Sequence, residues 1–414
     1  MTTATNTATA SLRRRRGTAV TARTLGRGAI VLACAALIAA VAGKGAAVHL
    51  ARSDPKAAAL LAPYDARAAV AAAQAGSQSG AKVSTPEVRR LTRMALARDA
   101  TLSPAIEFRA LQAEADADPR REARLFELSS AISRRSLPTR LWLIQREVDR
   151  GDVAGALENF DIALRTSTAA PDVLFPVLAR AATDPSLSEP IARILDRPED
   201  WRLAFLHYAI TEAHAGLGLA GVVLHMRDRH LIAAEHVDDS LVGELVAERQ
   251  FALARTVHDA FGPSSGQDLV ADPRFADPRI RYPFGWVLIQ TGTSGASRTR
   301  VDGRPALEYD SSPGGGGAVA TQLLTLPPGD YRLTVTTAKP TDDPVSQPFW
   351  TLSCGGEGGA QLGLVDQPGA AGASASADIT VPDGCGGQWL ALTVRGNDQP
   401  SLTGSVRSVE VVRR

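Results

Sequence analysis

The pattern of apolar and polar positions changes character three times along the chain. Residues 28–43 run 16 positions without a charge, and Lys44 is the first interruption. A bilayer core asks for about 20 apolar residues, within a range of roughly 17–25. With the Lys44 amine reaching out to the interface, the run over 28–48 is long enough to span. Residues 55–262 then show apolar positions at helical spacing, with breaks at Pro, Gly and Asp. From 280 to 414 the spacing falls to short period-two runs between glycine clusters, which predicts strands. GPSSGQDLVADPRFADPR (262–279) reads as a polar, Pro-containing connector.

These patterns predict a multidomain α plus β chain. A basic tail over 1–27 is expected to be disordered, and a transmembrane signal anchor follows over 28–48. A linker with the first helices fills 49–85, and a helical array resembling tetratricopeptide repeats fills 86–262. After the connector, counted from 263 to 279, a β-sandwich module occupies 280–414. In LPPGDYRLTVTTA (326–338), Pro327, Pro328 and Gly329 make a turn, and Tyr331, Leu333 and Val335 then share one face. QWLALTV (388–394) repeats the alternation with Leu390, Leu392 and Val394, and SVRSVEVVRR (405–414) supplies a last strand. Several short strands with glycine-rich turns point to an antiparallel sandwich of jelly-roll type.

Charge settles the expected orientation. Of the formal net charge of +1, residues 1–27 contribute +6 through Arg13–Arg16, Arg23 and Arg27 and carry no acid, so the remainder is −5. A basic tail before an apolar run places the N-terminus in the cytoplasm and the bulk outside. The expected location is therefore the bacterial inner membrane, single-pass, with the bulk periplasmic. A cleaved leader competes, because Ala40-Val41-Ala42 is a small-x-small pattern ahead of Gly43. A lipoprotein at Cys34 does not fit, since only six apolar or glycine residues separate it from Arg27. The mild acidity beyond the tail argues against a nucleic-acid partner. Outside the apolar run the cysteines are Cys354 and Cys385, which in an oxidising compartment most simply form one bridge; buried free thiols are the alternative.

The repeat signal is strongest over 151–164, where Ala156, Phe160 and Ala163 keep the small-large-small spacing of a repeat's second helix. LWLIQREVDR (141–150) supplies the first helix of that pair. Weaker echoes follow at 94–99 with Pro104, at 121–133, and at 241–261 with Ala254 in the small position. An irregular helical array is the competing reading.

The stretches SRRSLPTRLWLI (133–144), ALENFDIALR (156–165), RYPFGWVL (281–288), LPPGDYRLTV (326–335), PFWTLSC (348–354) and CGGQWLALTV (385–394) carry a resemblance. Together they make the chain similar to sphingomonad-type membrane-anchored proteins. That group has tetratricopeptide-like repeats and a C-terminal sandwich like a carbohydrate-binding module. It is similar in layout to proteins encoded near exopolysaccharide genes. The resemblance implies an envelope role and carries over no catalytic residues.

Candidate chemistry is sparse. Sugar-facing aromatics in the module are Trp286, Trp350, Trp389 and Tyr309. Alternation puts Trp350 with Leu352 and Cys354 on a core face, and Trp286 sits where an aromatic plugs the core. Trp389 lies opposite Leu390, Leu392 and Val394, beside Ala391, Thr393 and Arg395, so it can face a ligand; packing under a loop is the alternative. Trp389, Arg395 and Tyr309 are the candidate ligand-binding residues. Asp342, Asp343, Asp378 and Asp383 lack the spacing of a calcium loop and read as solvated turn acids. The SSPGGGGA loop (311–318) lacks a phosphate-cradling pattern. His225, His230 and His236 do not fall at i, i+4, and no HExxH occurs. No catalytic residue, metal ligand or cofactor is expected. The expected function is a non-enzymatic envelope scaffold, with protein partners on the helical array and polysaccharide on the sandwich. The alternatives are a purely protein–protein assembly factor of an export or polymerisation complex and a glycan-modifying enzyme.

Overall fold

The structure, a computed structural model, describes residues 33–78, 82–227, 236–262, 268–279, 281–341, 343, 346–355, 359–396 and 402–414. The chain forms two compact units, Met1–Thr168 and Ala169–Arg414.

The described part of the first unit is helical: α1 (Ala33–Leu50), α2 (Pro55–Leu61), α3 (Ala66–Gln78), α4 (Pro86–Arg98), α5 (Ser103–Ala115), α6 (Pro119–Ile132), α7 (Leu137–Asp149) and α8 (Val153–Thr166). Proline sits in the first turn of α2, α4, α5, α6 and α7, where its missing N–H costs nothing and its fixed φ suits the helix. Asp54, Asp118, Ser136 and Asp152 cap the starts of α2, α6, α7 and α8 by accepting a first-turn amide. Consecutive helices pack as the pairs α3–α4, α5–α6 and α7–α8. Alanines at the α3–α4 contact (Ala66, Ala69, Ala73 and Ala95) are buried and let the backbones approach closely. A buried hydroxyl network joins three helices: Ser103 Oγ and Ser129 Oγ both donate to Glu107 Oε1 at 2.8 and 3.1 Å, and Ser129 also meets Thr139 at 2.9 Å. On α8, Ala156, Phe160 and Ala163 are all buried. Among the described residues, α1 is the one helix long and apolar enough to cross a membrane.

The second unit begins with α9 (Ala170–Ala181), α10 (Ser188–Leu195), α11 (Trp201–Thr211), α12 (Gly216–His225), α13 (Val237–Ala247) and α14 (Phe251–Phe261). Their interior is apolar, with Phe205, Leu206, Leu219, Val222, Leu241 and Leu245 at 0% exposure. His230 lies outside the described residues.

Ten strands follow: β1 (Val287–Leu288), β2 (Ser294–Val301), β3 (Arg304–Ser311), β4 (Gly317–Leu324), β5 (Gly329–Lys339), β6 (Phe349–Cys354), β7 (Gln361–Asp366), β8 (Ser374–Val381), β9 (Gln388–Val394) and β10 (Leu402–Arg413). They make two antiparallel sheets, ordered β1-β4-β9-β6-β7 and β2-β3-β10-β5-β8. Tyr331, Leu333 and Val335 face the core from β5, and Leu390, Leu392 and Val394 face it from β9, as alternation predicts. The last strand, β10, lies in the middle of its sheet, between β3 and β5. Its VxxVxVV run is therefore flanked on both sides, which accounts for its length. The β2–β3 hairpin turns on Asp302-Gly303, both at positive φ, as a two-residue loop matching strand twist requires.

Two features differ from the sequence reading. The described part of the connector is not a solvated linker: Val270 and Phe275 are buried in the sandwich core. Gln322, itself fully buried on β4, holds the Ala271 backbone by donating Nε2 to its O and accepting its N–H at Oε1, both at 2.9 Å. Asp378 is not a turn acid but a strand residue of β8, facing Arg332 and Arg414.

Candidate functional site

The two sheets present outer faces of opposite character. On the β5–β8 sheet, polar side chains pair with one another across strands. Thr334 meets Ser376 and Thr336 meets Ser374, each at 2.9 Å, and Thr380 donates to Asp330 at 2.7 Å. Arg332 and Arg414 both bind Asp378, and the hydrogen bond from Arg332 holds that carboxyl below the usual range. Such a ladder satisfies its own donors and acceptors and leaves little for a ligand.

The outer face of the other sheet is built differently. β9 contributes Trp389, Ala391, Thr393 and, just beyond the strand, Arg395. Register sets Ser353 beside Trp389, Thr351 beside Ala391 and Phe349 beside Thr393 on β6. One strand further, Leu364 and Asp366 of β7 stand beside Thr351 and Phe349. Directly opposed antiparallel residues share a face, so these side chains form one patch. Trp389, Ala391, Thr393, Phe349, Thr351 and Ser353 are half-buried, and Leu364 is 41% exposed. Arg395 lies over the Phe349 ring at 4.6 Å, donates to Gln347 O at 2.9 Å and pairs with Asp366 at 2.5 Å. Its guanidinium is thereby held at one end of the patch.

At the other end the patch is closed by the preceding helices. Gly387 shares the Trp389 face, and a Cβ there would meet the Phe251 ring of α14 at 2.5 Å. Phe284 packs between His258 and Arg255 of α14, each about 5.1 Å from its ring. Arg281 pairs with Asp238 at 2.5 Å and Asp239 at 2.8 Å on α13. His258 is buried here at 4% exposure.

Among the residues singled out from sequence, Trp389 and Arg395 stand on this patch. Tyr309 does not, and that expectation is corrected. It is 2% exposed, on the inner face of β3, and burial pushes its hydroxyl pKa upward. Its strand alternates with Leu307 and Ser311 inward, so the ring fills the core. Trp350 is fully buried, with Nε1 donating to Gln367 at 2.9 Å, and Trp286 donates to Asp272 O at 3.0 Å. The two indoles meet edge to face at 5.7 Å. Cys354 and Cys385 are bonded, tying the end of β6 to the turn before β9. Asp342 lies outside the described residues, and Asp343 accepts a hydrogen bond from Ser346 at 2.6 Å. Among the described residues no three potential ligands gather around a metal position.

Sequence reasoning passed over Phe349 and Asp366. The alternation that turns Trp350 inward turns Phe349 outward, so Phe349 was within reach. Asp366 needed the β6–β7 pairing, which no local pattern reveals.

Fold and patch define a helical chain bearing a two-sheet antiparallel β-sandwich with one self-paired outer face and one aromatic outer face. No family model matches the sequence, and no curated protein matches it. Among solved structures, the carbohydrate-binding module TmCBM61 in complex with β-1,4-galactotriose is 14% identical, over 36% of this chain and 100% of that one, with a TM-score of 0.25. A CBM4 structure is 15% identical over 36% of this chain and 100% of that one, with a TM-score of 0.26. The CBM22-1–GH10 modules of Clostridium thermocellum xylanase 10B, complexed with xylohexaose, are 15% identical over 32% of this chain and 27% of that one, with a TM-score of 0.24.

Proposed function

We propose that the protein is a non-enzymatic envelope scaffold, anchored in the bacterial inner membrane by α1, whose sandwich contacts polysaccharide through the Trp389–Phe349 patch. The contrast between the two outer faces carries this reading. Aromatic rings at two corners, with small residues and hydroxyls between them, suit the apolar face and hydroxyl rim of a sugar ring. Thr351, Thr393 and Ser353 supply donors and acceptors not committed to a cross-strand ladder. Asp366 is the one carboxylate among the described strand residues of the patch, and Arg395 occupies it. That favours binding over hydrolysis by a pair of acids.

On this reading the paired helices of the first unit, arranged in the manner of tetratricopeptide repeats, offer surface to protein partners. The alternative, assembly through protein contacts alone, is favoured by Leu128, Val148 and Val153, which are large, apolar and exposed on α6 to α8 of the first unit. Binding of the full-length protein to a panel of neutral and acidic polysaccharides, with Trp389→Ala as control, separates the two. Loss of binding in the variant supports the glycan reading; no polysaccharide bound by either protein leaves the assembly reading.

A further inference from the structure

The helix α1 does not stand free along its length. Ala40, Gly43, Ala47 and Leu50 form one stripe, which is less exposed than the rest of the helix, and Ala47 is buried against Ala58 and Ala62. A Cβ on Gly43 would come within 2.8 Å of Leu61 O, so α2 packs directly on this stripe. The Tyr64 hydroxyl donates to the Ala40 carbonyl. Lys44 pairs with Asp65 at 3.9 Å.

These contacts fix a direction. The chain climbs α1, turns over Arg52–Asp54, and comes back down α2, so that Leu60–Tyr64 lies level with Ala40–Gly43. Ala40 is ten residues below Leu50, about 15 Å at the helical rise. The tip Leu60-Leu61-Ala62-Pro63-Tyr64 carries no charge, and Leu60, Leu61 and Tyr64 are 81%, 48% and 43% exposed. Lys56 and Arg52 sit higher, away from the tip, while the Lys44–Asp65 pair stands beside it.

Residues 44–50 are flanked by α2, so the part of α1 that stands free lies on the side of the helix start, where the tip is. We propose that the Leu60–Tyr64 tip is a second membrane contact, seated in the outer-leaflet interface beside α1. Two exposed leucines, a proline and a tyrosine are the side chains that the headgroup–acyl boundary accepts. The Lys44–Asp65 pair then marks the headgroup plane. The inference rests on α1 being a retained anchor.

The test uses the full-length protein in vesicles of phosphatidylethanolamine and phosphatidylglycerol, with Cys34→Ala removing the free thiol. Leu60→Cys and Ser53→Cys are labelled with an environment-sensitive fluorophore. The label at 60 is expected to shift to the blue and to be quenched several-fold more by spin-labelled lipid than the label at 53. Equal quenching of both labels by aqueous iodide, in protein that resists alkaline carbonate extraction, overturns the tip contact and leaves the anchor standing. Release by carbonate overturns both.

Discussion

Replacing Gly387 by alanine probes how firmly α14 is seated on the sandwich. The new Cβ would lie 2.5 Å from Phe251 Cγ and 2.7 and 2.8 Å from the two Cδ atoms. Carbon contacts are comfortable near 3.5–4.0 Å, so ring or helix must give way by about 1 Å. Gly387 is not at positive φ, so the backbone itself accepts alanine and the penalty is steric. Overpacking of this kind costs about 1–3 kcal/mol. Phe251 is 6% exposed, and Phe251→Ala alone should cost roughly 3–5 kcal/mol through lost burial and the cavity left behind. Once the ring is gone, Gly387→Ala has nothing to strike, and its cost should fall to about zero. The coupling energy of the cycle is therefore about 1–3 kcal/mol, read from denaturant midpoints together with hydrogen exchange in 251–261. Additivity of the two substitutions, or a Gly387→Ala protein as stable as the parent, would refute the contact and with it the closure of the patch by α14.

Two further outcomes follow from the sandwich. Gln322→Leu leaves the Ala271 N–H and C=O without their partner in a buried setting, about 1–3 kcal/mol for each group. The expected result is faster amide exchange at 269–272, and unchanged exchange there would contradict the anchoring of that segment. Substituting both Cys354 and Cys385 by serine opens a link with a sequence separation of 31. The chain-entropy model puts its loss at roughly 3–4 kcal/mol. Unfolding midpoints that match under oxidising and reducing conditions would show the bond contributes nothing.

The fold was legible wherever alternation or helical spacing ran long enough to state a face. Tyr331, Leu333 and Val335, and again Leu390, Leu392 and Val394, declare the core of each sheet before any pairing is known. Trp350 and Trp389 were sorted to opposite faces by the same rule. Tyr309 was misjudged because its residue type was weighed ahead of its strand, which turns it inward beside Leu307. The connector failed for a different reason: its composition is polar with three prolines, while two apolar residues, Val270 and Phe275, decide its burial. Pairing between distant strands stayed hidden. That β10 is central, and that Asp366 reaches Arg395, depends on register across many residues of intervening chain. Likewise the apolar run over 28–48 gave no hint that α2 folds back against its upper half, because the contact is made by alanine and glycine, which carry little pattern.

The central claim is that the Trp389–Phe349 patch holds polysaccharide. Its most direct measurement is the affinity of the detergent-purified full-length protein for polysaccharide extracted from cells that make it, compared with Trp389→Ala. An aromatic at the heart of a contact is worth about 2 kcal/mol, so the variant should bind roughly 30-fold more weakly while keeping a folded sandwich by circular dichroism. Equal affinity of the two proteins for a polysaccharide that both bind would contradict the account.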